Sequence, residues 1–283
     1  MTPASHDARF LLWNRFQNDI NPGRLNNVSD SEFFAEHGYL IKERLFSDAD
    51  LDRIQVALDE LTDLATRAPE DSDRFKFSIF GHGGDRRQVQ QVADPHEFGG
   101  AFIALGRDPR ILDLVEELLG PNVLLYYSML MMKPPAGGAA SPWHQDLAFY
   151  THDRARLLNV QVYLDAATRE NGCVRVVPGS HREGLRNHYD GELHTGVVQG
   201  DTRDFDAREV LVEVPAGSIA VWHSLTLHSS HPNNSDRPRR AIAFGYKDPS
   251  TALLSGSFNA SETRQVGMIV RGVDPRGQLL SAL

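Results

Sequence analysis

Apolar residues at Leu51, Ile54, Leu58, Leu61 and Ala65 recur at intervals of three and four, which predicts an amphipathic helix with Ser47-Asp48 as its cap. A second helix is predicted over 109–119. Pro109 opens it, Ile111, Leu112, Leu114, Val115, Leu118 and Leu119 line it, and Gly120-Pro121 ends it. From Asn122 onward the period changes. Short β-rich runs follow at 123–132, 142–149, 157–165, 172–178, 208–214, 218–223 and 239–247, separated by Gly, Pro, Asn and Asp clusters, a spacing suited to an all-β sandwich or barrel. The fold expected is mainly β with flanking helices: a jelly-roll, the double-stranded β-helix of cupin-like barrels, with an interior cavity open at one end. The chain 1–283 reads as a single domain, with a helix-rich part at 1–120, a jelly-roll core at 121–250 and a C-terminal extension at 251–283. No linker, internal repeat or low-complexity segment divides it. Residues 1–30, mixed and poorly periodic, read as an arm or irregular cover without chemistry of their own.

Composition narrows the function classes. The 283 residues are 41% hydrophobic and 24% charged, ordinary globular values for a chain able to bury a sizeable core. Thirty-eight acids against 29 bases leave a formal charge of -9, and no long run of one sign occurs, which argues against a nucleic-acid or anionic-membrane surface. Cys173 is the single cysteine, so no internal disulfide framework is available and a reducing compartment is expected. The N-terminus lacks a basic region followed by an apolar stretch of signal-peptide length. The longest apolar stretch, Val123 to Met132, is about half of what a membrane span needs. A soluble, cytoplasmic protein is the expectation.

The chemistry concentrates in two places. In Ser141-Pro-Trp-His-Gln-Asp146, His144 and Asp146 stand two apart, and residues i and i+2 of an extended strand project from one face. The triplet recurs at His188-Tyr-Asp190, so it carries little alone. His188 lies in a polar stretch, 181–206, read as a lid loop in which it is solvated or hydrogen-bonded, whereas His144 is flanked by Pro142, Trp143, Leu147, Phe149 and Tyr150. A jelly-roll brings distant residues onto facing sheets, so a third ligand is expected from a late strand edge. There Val221-Trp-His-Ser-Leu-Thr-Leu-His-Ser-Ser-His231 offers His223, His228 and His231. Two imidazoles and a carboxylate on one face of a metal ion suit a non-heme Fe(II) oxygenase, while zinc hydrolases more often close a tetrahedron with one open position. Composition does not choose between them.

Arg239 opens the run Arg-Arg-Ala-Ile-Ala-Phe-Gly-Tyr246, one face of which carries Arg239, Ala241, Ala243 and Gly245. Small residues beside a guanidinium make room for a ligand carboxylate held by two parallel hydrogen bonds. The alternative is that Arg239 pairs with an acid of the chain. In strand 157–164, Asn159, Gln161 and Tyr163 share a face with Leu157. That polar stripe faces either an interior cavity or solvent.

With these residues in place, the chain resembles the phytanoyl-CoA dioxygenase family of Fe(II)- and 2-oxoglutarate-dependent oxygenases, over about residues 33–250. The resemblance rests on Met129-Leu-Met-Met-Lys-Pro-Pro135, Trp143-His-Gln-Asp-Leu147, Asn171-Gly-Cys-Val-Arg-Val-Val-Pro-Gly-Ser-His181 and Leu227-His-Ser-Ser-His-Pro-Asn-Asn-Ser, the last followed by Arg239-Arg-Ala. It implies that His144, Asp146 and His228 ligate iron and that Arg239 partners the distal carboxylate of 2-oxoglutarate. Ser230 falls where the family has a hydroxyl holding that co-substrate, and Met129 and Gln161 fall where residues line its pocket. Many relatives carry a larger aromatic at the position of Gln161. An upstream lysine used by some members is replaced near Gln91. The cofactor set implied is Fe(II), 2-oxoglutarate and O2, with succinate and CO2 released as a C–H bond of a metabolite is hydroxylated, or as the same chemistry desaturates, cyclises or epimerises. Leu147-Ala-Phe-Tyr150 replaces the run found in ectoine hydroxylases, and retention of Asp146 favours oxygenation over halogenation. Substrate contacts are expected from 74–91, with Phe75, Phe77, Phe80 and His82, and from 181–206, with His188 and His194. Asn233 and His231 are expected to support the ligand imidazoles, His223 to be structural, and Trp143 and Trp222 to pack beside the site. Two other classes compete: a metal hydrolase or isomerase, which needs no Arg239 clamp, and a silent ligand-binding barrel, disfavoured because every ligand position is filled.

Overall fold

Serines begin two of the helices for the same physical reason. Ser29 and Ser47 each accept the backbone N–H three residues on, while the carboxylates of Glu32 and Asp50 return to the serine N–H groups, so both ends form capping boxes. The computed structural model describes residues 28–67, 75–78, 88–135, 137–256, 267–275 and 277. Nearly all of the expected N-terminal arm lies outside them, as do Phe80 and His82. The helices are α1 (Asp30–His37), α2 (Asp48–Thr66), α3 (Gly100–Gly106), α4 (Pro109–Leu119) and α5 (Arg203–Arg208). α2 buries Ile54, Leu58, Leu61 and Ala65, the stripe its spacing predicts. α4 has the predicted bounds, with the Asp108 side chain capping Arg110 N–H and Pro109 in the first turn.

The strands are β1 (Tyr39–Lys42), β2 (Phe75–Ser78), β3 (Gln88–Ala93), β4 (Val123–Lys133), β5 (Ser141–His144), β6 (Tyr150–His152), β7 (Leu157–Tyr163), β8 (Val174–Val176), β9 (Tyr189–Asp190), β10 (Leu193–His194), β11 (Val210–Leu211), β12 (Ile219–His223), β13 (His228–Ser230), β14 (Arg239–Lys247), β15 (Leu253–Gly256) and β16 (Met268–Arg271). An 8-stranded sheet runs β1-β12-β7-β14-β4-β3-β2, with β16 also on β4, and a 4-stranded sheet runs β11-β8-β13-β5. All of their pairings are antiparallel. This is the jelly-roll expected.

Every residue of β7 is buried. Leu158, Val160 and Val162 join the main apolar core with Ile111 and Val115 of α4, and the opposite face turns Asn159 and Gln161 into a cavity between the sheets. The polar stripe is therefore interior. Helices cover the outer face of the large sheet, which leaves the inner face free for chemistry.

Two expectations are corrected, and one strand was not expected. The run 142–149 is not one strand: β5 stops at His144, Asp146–Ala148 form a 3-10 turn, and Leu147 N–H bonds Ser224 O at 3.0 Å, so the chain leaves the small sheet at Gln145. Asp146 thus stands on a turn, and its convergence with His144 comes from that turn rather than from strand alternation. The stretch 181–206 is also more ordered than its polarity suggests, holding the β9–β10 hairpin and most of α5. Finally, β1 went unread because its four residues become a strand only against β12.

Candidate metal centre

His144 ends β5 and His228 begins β13, and the two are register partners across the small sheet, which sets their ring centroids 4.1 Å apart. Asp146 enters from the turn. One ligand atom from each of the three lies within 4.8 Å of the others, and His228 Nε2 is 3.5 Å from Asp146 Oδ1. His144 Nδ1 sits 2.8 Å from Pro142 O and His228 Nδ1 sits 3.0 Å from Thr226 O. A carbonyl only accepts, so both Nδ1 atoms carry the proton and both Nε2 lone pairs are left for a metal. Burial and the neighbouring His228 hold the His144 pKa well below the usual histidine range, so its imidazole is neutral at physiological pH.

Those carbonyls take the supporting role expected of Asn233 and His231. Asn233 instead donates to Lys133 O and Arg237 O at 3.0 and 2.7 Å and shapes the turn before β14. His231 is exposed, and its backbone carbonyl accepts from Lys133 Nζ. Trp222, expected only to pack, donates its indole N–H to Asp146 Oδ2 at 2.9 Å. Asn159 Nδ2 lies 3.4 Å from the same oxygen. Trp143 does pack, edge-on to Phe205, and its indole N–H reaches Asp206 Oδ1 at 2.9 Å.

The second His-x-Asp does not converge. His188 is 1% exposed; its Nδ1–H donates to Arg186 O at 2.8 Å and its Nε2 accepts from Gln145 N–H at 3.1 Å. Asp190 is exposed on the hairpin. Gln145, between two candidate ligands, has no exposed surface. Its side chain donates to Gly184 O and Leu225 O at 2.9 and 2.7 Å and accepts from Arg186 N–H at 2.8 Å. The 181–206 stretch is thereby tied to the turn that carries Asp146. His223 faces His181 at 5.4 Å between centroids and accepts from Leu225 N–H, away from the three candidate ligands.

A cavity of about 350 Å³ opens beside the cluster. Arg239, Ser230, Gln161, Met129 and Ala243 line it, as does Gln91. Arg239 is 2% exposed and donates through Nε and Nη2 to Gly172 O at 3.2 and 2.9 Å. Among the described residues no carboxylate pairs with it. The acid pairing considered for Arg239 belongs to Arg240, whose guanidinium holds Asp165 at 2.7 and 2.8 Å. Burial lowers the Arg239 pKa, yet a guanidinium remains a cation there. A buried cation without a counter-ion is costly unless a ligand supplies one, and a dicarboxylate fits that need.

Aromatic side chains also line the cavity: Tyr126, Tyr127, Tyr150 and Phe149. Tyr127 and Tyr150 stack at 5.2 Å, 17° from parallel, and Asn159 Nδ2 donates to Tyr127 Oη. Gly245 explains how they fit, since a Cβ there would lie 2.1 Å from Tyr127 Cε1. Of the small residues beside Arg239, then, Ala243 makes room for a ligand and Gly245 makes room for a tyrosine. Tyr126 and Tyr127 were missed because β4 reads as one continuous apolar run whose facing cannot be told from the sequence. Phe75, by contrast, is buried in the main core against Phe98 at 5.7 Å. His194 touches Phe149 at 5.3 Å.

The profile of the phytanoyl-CoA dioxygenase (PhyH) family matches residues 34–241. A Stutzerimonas stutzeri protein described as a probable alpha-ketoglutarate-dependent hypophosphite dioxygenase is 30% identical over 231 residues, 80% of each chain. Among solved structures, EctD from S. alaskensis, crystallised with 2-oxoglutarate and 5-hydroxyectoine, matches 78% of this chain and 75% of its own with TM-score 0.64 and 26% identity. The non-heme alpha ketoglutarate dependent carbocyclase SnoK from nogalamycin biosynthesis matches 84% of this chain and 91% of its own with TM-score 0.67 and 24% identity, a likeness of fold. The donor set, the unpaired guanidinium and these likenesses agree, and the chain belongs to the phytanoyl-CoA dioxygenase (PhyH) family as a non-heme oxygenase that uses Fe(II), 2-oxoglutarate and O2.

Proposed function

We propose that this oxygenase hydroxylates an unactivated C–H bond of a small-molecule metabolite, with release of succinate and CO2. In this reading His144, Asp146 and His228 hold the iron, Arg239 and Ser230 hold the distal carboxylate of 2-oxoglutarate, and Met129 and Gln161 flank that co-substrate. The observation that carries it is the pairing, at one cavity, of a His-Asp-His cluster with a buried arginine that has no carboxylate partner among the described residues. When bound, iron, 2-oxoglutarate and O2 together would supply the oxidant that breaks the C–H bond. The chain contributes the rest: carbonyls fix the imidazole tautomers, a guanidinium fixes the co-substrate's direction, and tyrosines shape the space for the reacting carbon.

Three further points support the reading. A hydrolase on this scaffold would leave Arg239 charged, buried and without a task. Asp146 fills the place that a halide would need, which favours oxygenation. A cavity of about 350 Å³ must take the co-substrate together with the reacting part of the substrate, which favours a compact molecule. Both sheets and the helices work as one catalytic domain in this view.

The test is an anaerobic titration of apo-protein with Fe(II) and 2-oxoglutarate, following the weak visible charge-transfer band of the chelate, with His144→Ala and Arg239→Ala in parallel. The band is expected in wild type, absent in the first variant, and shifted to far higher 2-oxoglutarate in the second. Succinate release across a metabolite panel, with product mass, then identifies the substrate and separates hydroxylation from desaturation. No band at saturating ligand would remove the assignment of these residues.

A further inference from the structure

Trp222 and Asn159 are register partners on the neighbouring strands β12 and β7 of the large sheet, while Asp146 belongs to a turn leaving the small sheet. The two side chains reach across the cavity to one atom. Trp222 Nε1 is 2.9 Å from Asp146 Oδ2 and Asn159 Nδ2 is 3.4 Å from it, whereas Oδ1 faces His228 Nε2 at 3.5 Å. Trp222 is 3% exposed, and its ring lies 5.0 Å from that of His228. An indole N–H donates and cannot accept, so burying it here is favourable only while a carboxylate oxygen is held in front of it.

From this geometry we infer that Trp222 is a positioning residue of the iron site: it occupies one oxygen of Asp146 and so restricts that carboxylate to ligation through Oδ1. The inference rests on the reading of His144, Asp146 and His228 as the ligands. A carboxylate free to rotate could bind a metal through both oxygens and close a position that the two-histidine, one-carboxylate arrangement leaves open. Asn159 assists, but it is shared with Tyr127 and stands farther away, so the indole is the stronger hold. Phenylalanine at position 222 would keep most of the packing against His228 and lose only the donor.

The experiment is anaerobic Mn(II) binding to the apo-protein, with free Mn(II) read by electron paramagnetic resonance, in wild type, Trp222→Phe, Trp143→Phe and His144→Ala. Outer hydrogen-bond partners of metal ligands typically contribute 10- to 100-fold in affinity. Trp222→Phe is therefore expected to raise the Mn(II) Kd by about that factor while the apo melting temperature stays close to wild type. Trp143→Phe, whose indole meets Asp206, is expected to bind as wild type does. Wild-type affinity in His144→Ala would overturn the ligand assignment itself. Loss of binding in His144→Ala with a Trp222→Phe Kd within twofold of wild type would overturn the positioning role alone. A second measurement covers failure of Trp222→Phe to fold. In protein carrying ¹⁵N-labelled tryptophan, Zn(II) should shift the one indole N–H resonance that neither Trp13→Phe nor Trp143→Phe removes, which belongs to Trp222; no movement of that resonance would overturn the proposal.

Discussion

Replacing Arg239 by methionine should separate co-substrate binding from stability, because in the proposed reading this guanidinium serves a ligand rather than the fold. Removing one partner of a buried, hydrogen-bonded charge pair costs roughly 2–5 kcal/mol, so the 2-oxoglutarate Kd should rise about 30- to 5,000-fold. The unliganded protein should respond differently. Losing the donors to Gly172 O leaves a buried carbonyl unsatisfied, at about 1–3 kcal/mol. Against this, the variant no longer buries a cation that has no carboxylate beside it among the described residues, a penalty of several kcal/mol per ion. The apo variant should therefore be as stable as wild type or more so. Scanning calorimetry under anaerobic conditions with Mn(II), with and without 2-oxoglutarate at 100 times the wild-type Kd, reads both effects. Wild type should gain about 2.7 kcal/mol from the ligand and the variant about 0.9 kcal/mol or less. A variant that keeps the ligand-induced gain, or an apo form weakened by the roughly 3–5 kcal/mol expected on breaking a compensated buried pair, would refute this reasoning. Arg239→Lys should fall between, since an ammonium cannot grip a carboxylate with two parallel donors.

Asp146→Ala should weaken Mn(II) binding at least as severely as His144→Ala, measured in the same titration. Gly245→Ala forces a Cβ against Tyr127 and should destabilise the protein by about 1–3 kcal/mol in urea unfolding, with substrate KM raised more than that for 2-oxoglutarate. Burial holds His223 at about 4, whereas an unfolded histidine titrates near 6.5. The unfolded chain therefore takes up the proton first, and apo stability is full above about pH 6.5 and falls as pH drops toward 4, by up to about 2 kcal/mol from this residue at pH 5. His223→Gln, which retains an acceptor for Leu225 N–H, should flatten that part of the pH dependence of the melting temperature; an unchanged slope counts against the assignment.

How much the sequence disclosed varied with how local the causes were. Helix α4 was legible to the residue because Asp108, Pro109 and Gly120 mark its ends chemically, and β14 because its alternation spans nine residues. β1 was not, since a strand of four residues is selected by the edge it joins, and β11 was legible only as a longer run, 208–214, of which two residues pair. His144, Asp146, His228 and Arg239 stood out as polar groups in apolar runs. The carbonyls of Pro142 and Thr226 did not, because backbone acceptors leave no mark in composition. Trp222 was read as packing for a related reason: large apolar area hides one donor, and only the partner across the cavity shows where that donor points. Asn159 and Gln161 formed a visible stripe whose direction depended on which face α4 covers.

Gln145 constrains how such an enzyme could acquire a new substrate. Its side chain fastens Gly184 and Arg186, and its N–H fastens His188, so the root of the overlying segment shares its anchor with the residues on either side of Gln145. Substitutions at that root would disturb the chemistry before they altered selectivity. The tip is different: Tyr189 and Leu193 are 46% and 69% exposed, and among the described residues the two-stranded ribbon there pairs only with itself. Divergence in specificity among descendants of this scaffold, natural or made in the laboratory, should therefore accumulate from Tyr189 to His194 and leave 184–188 almost untouched.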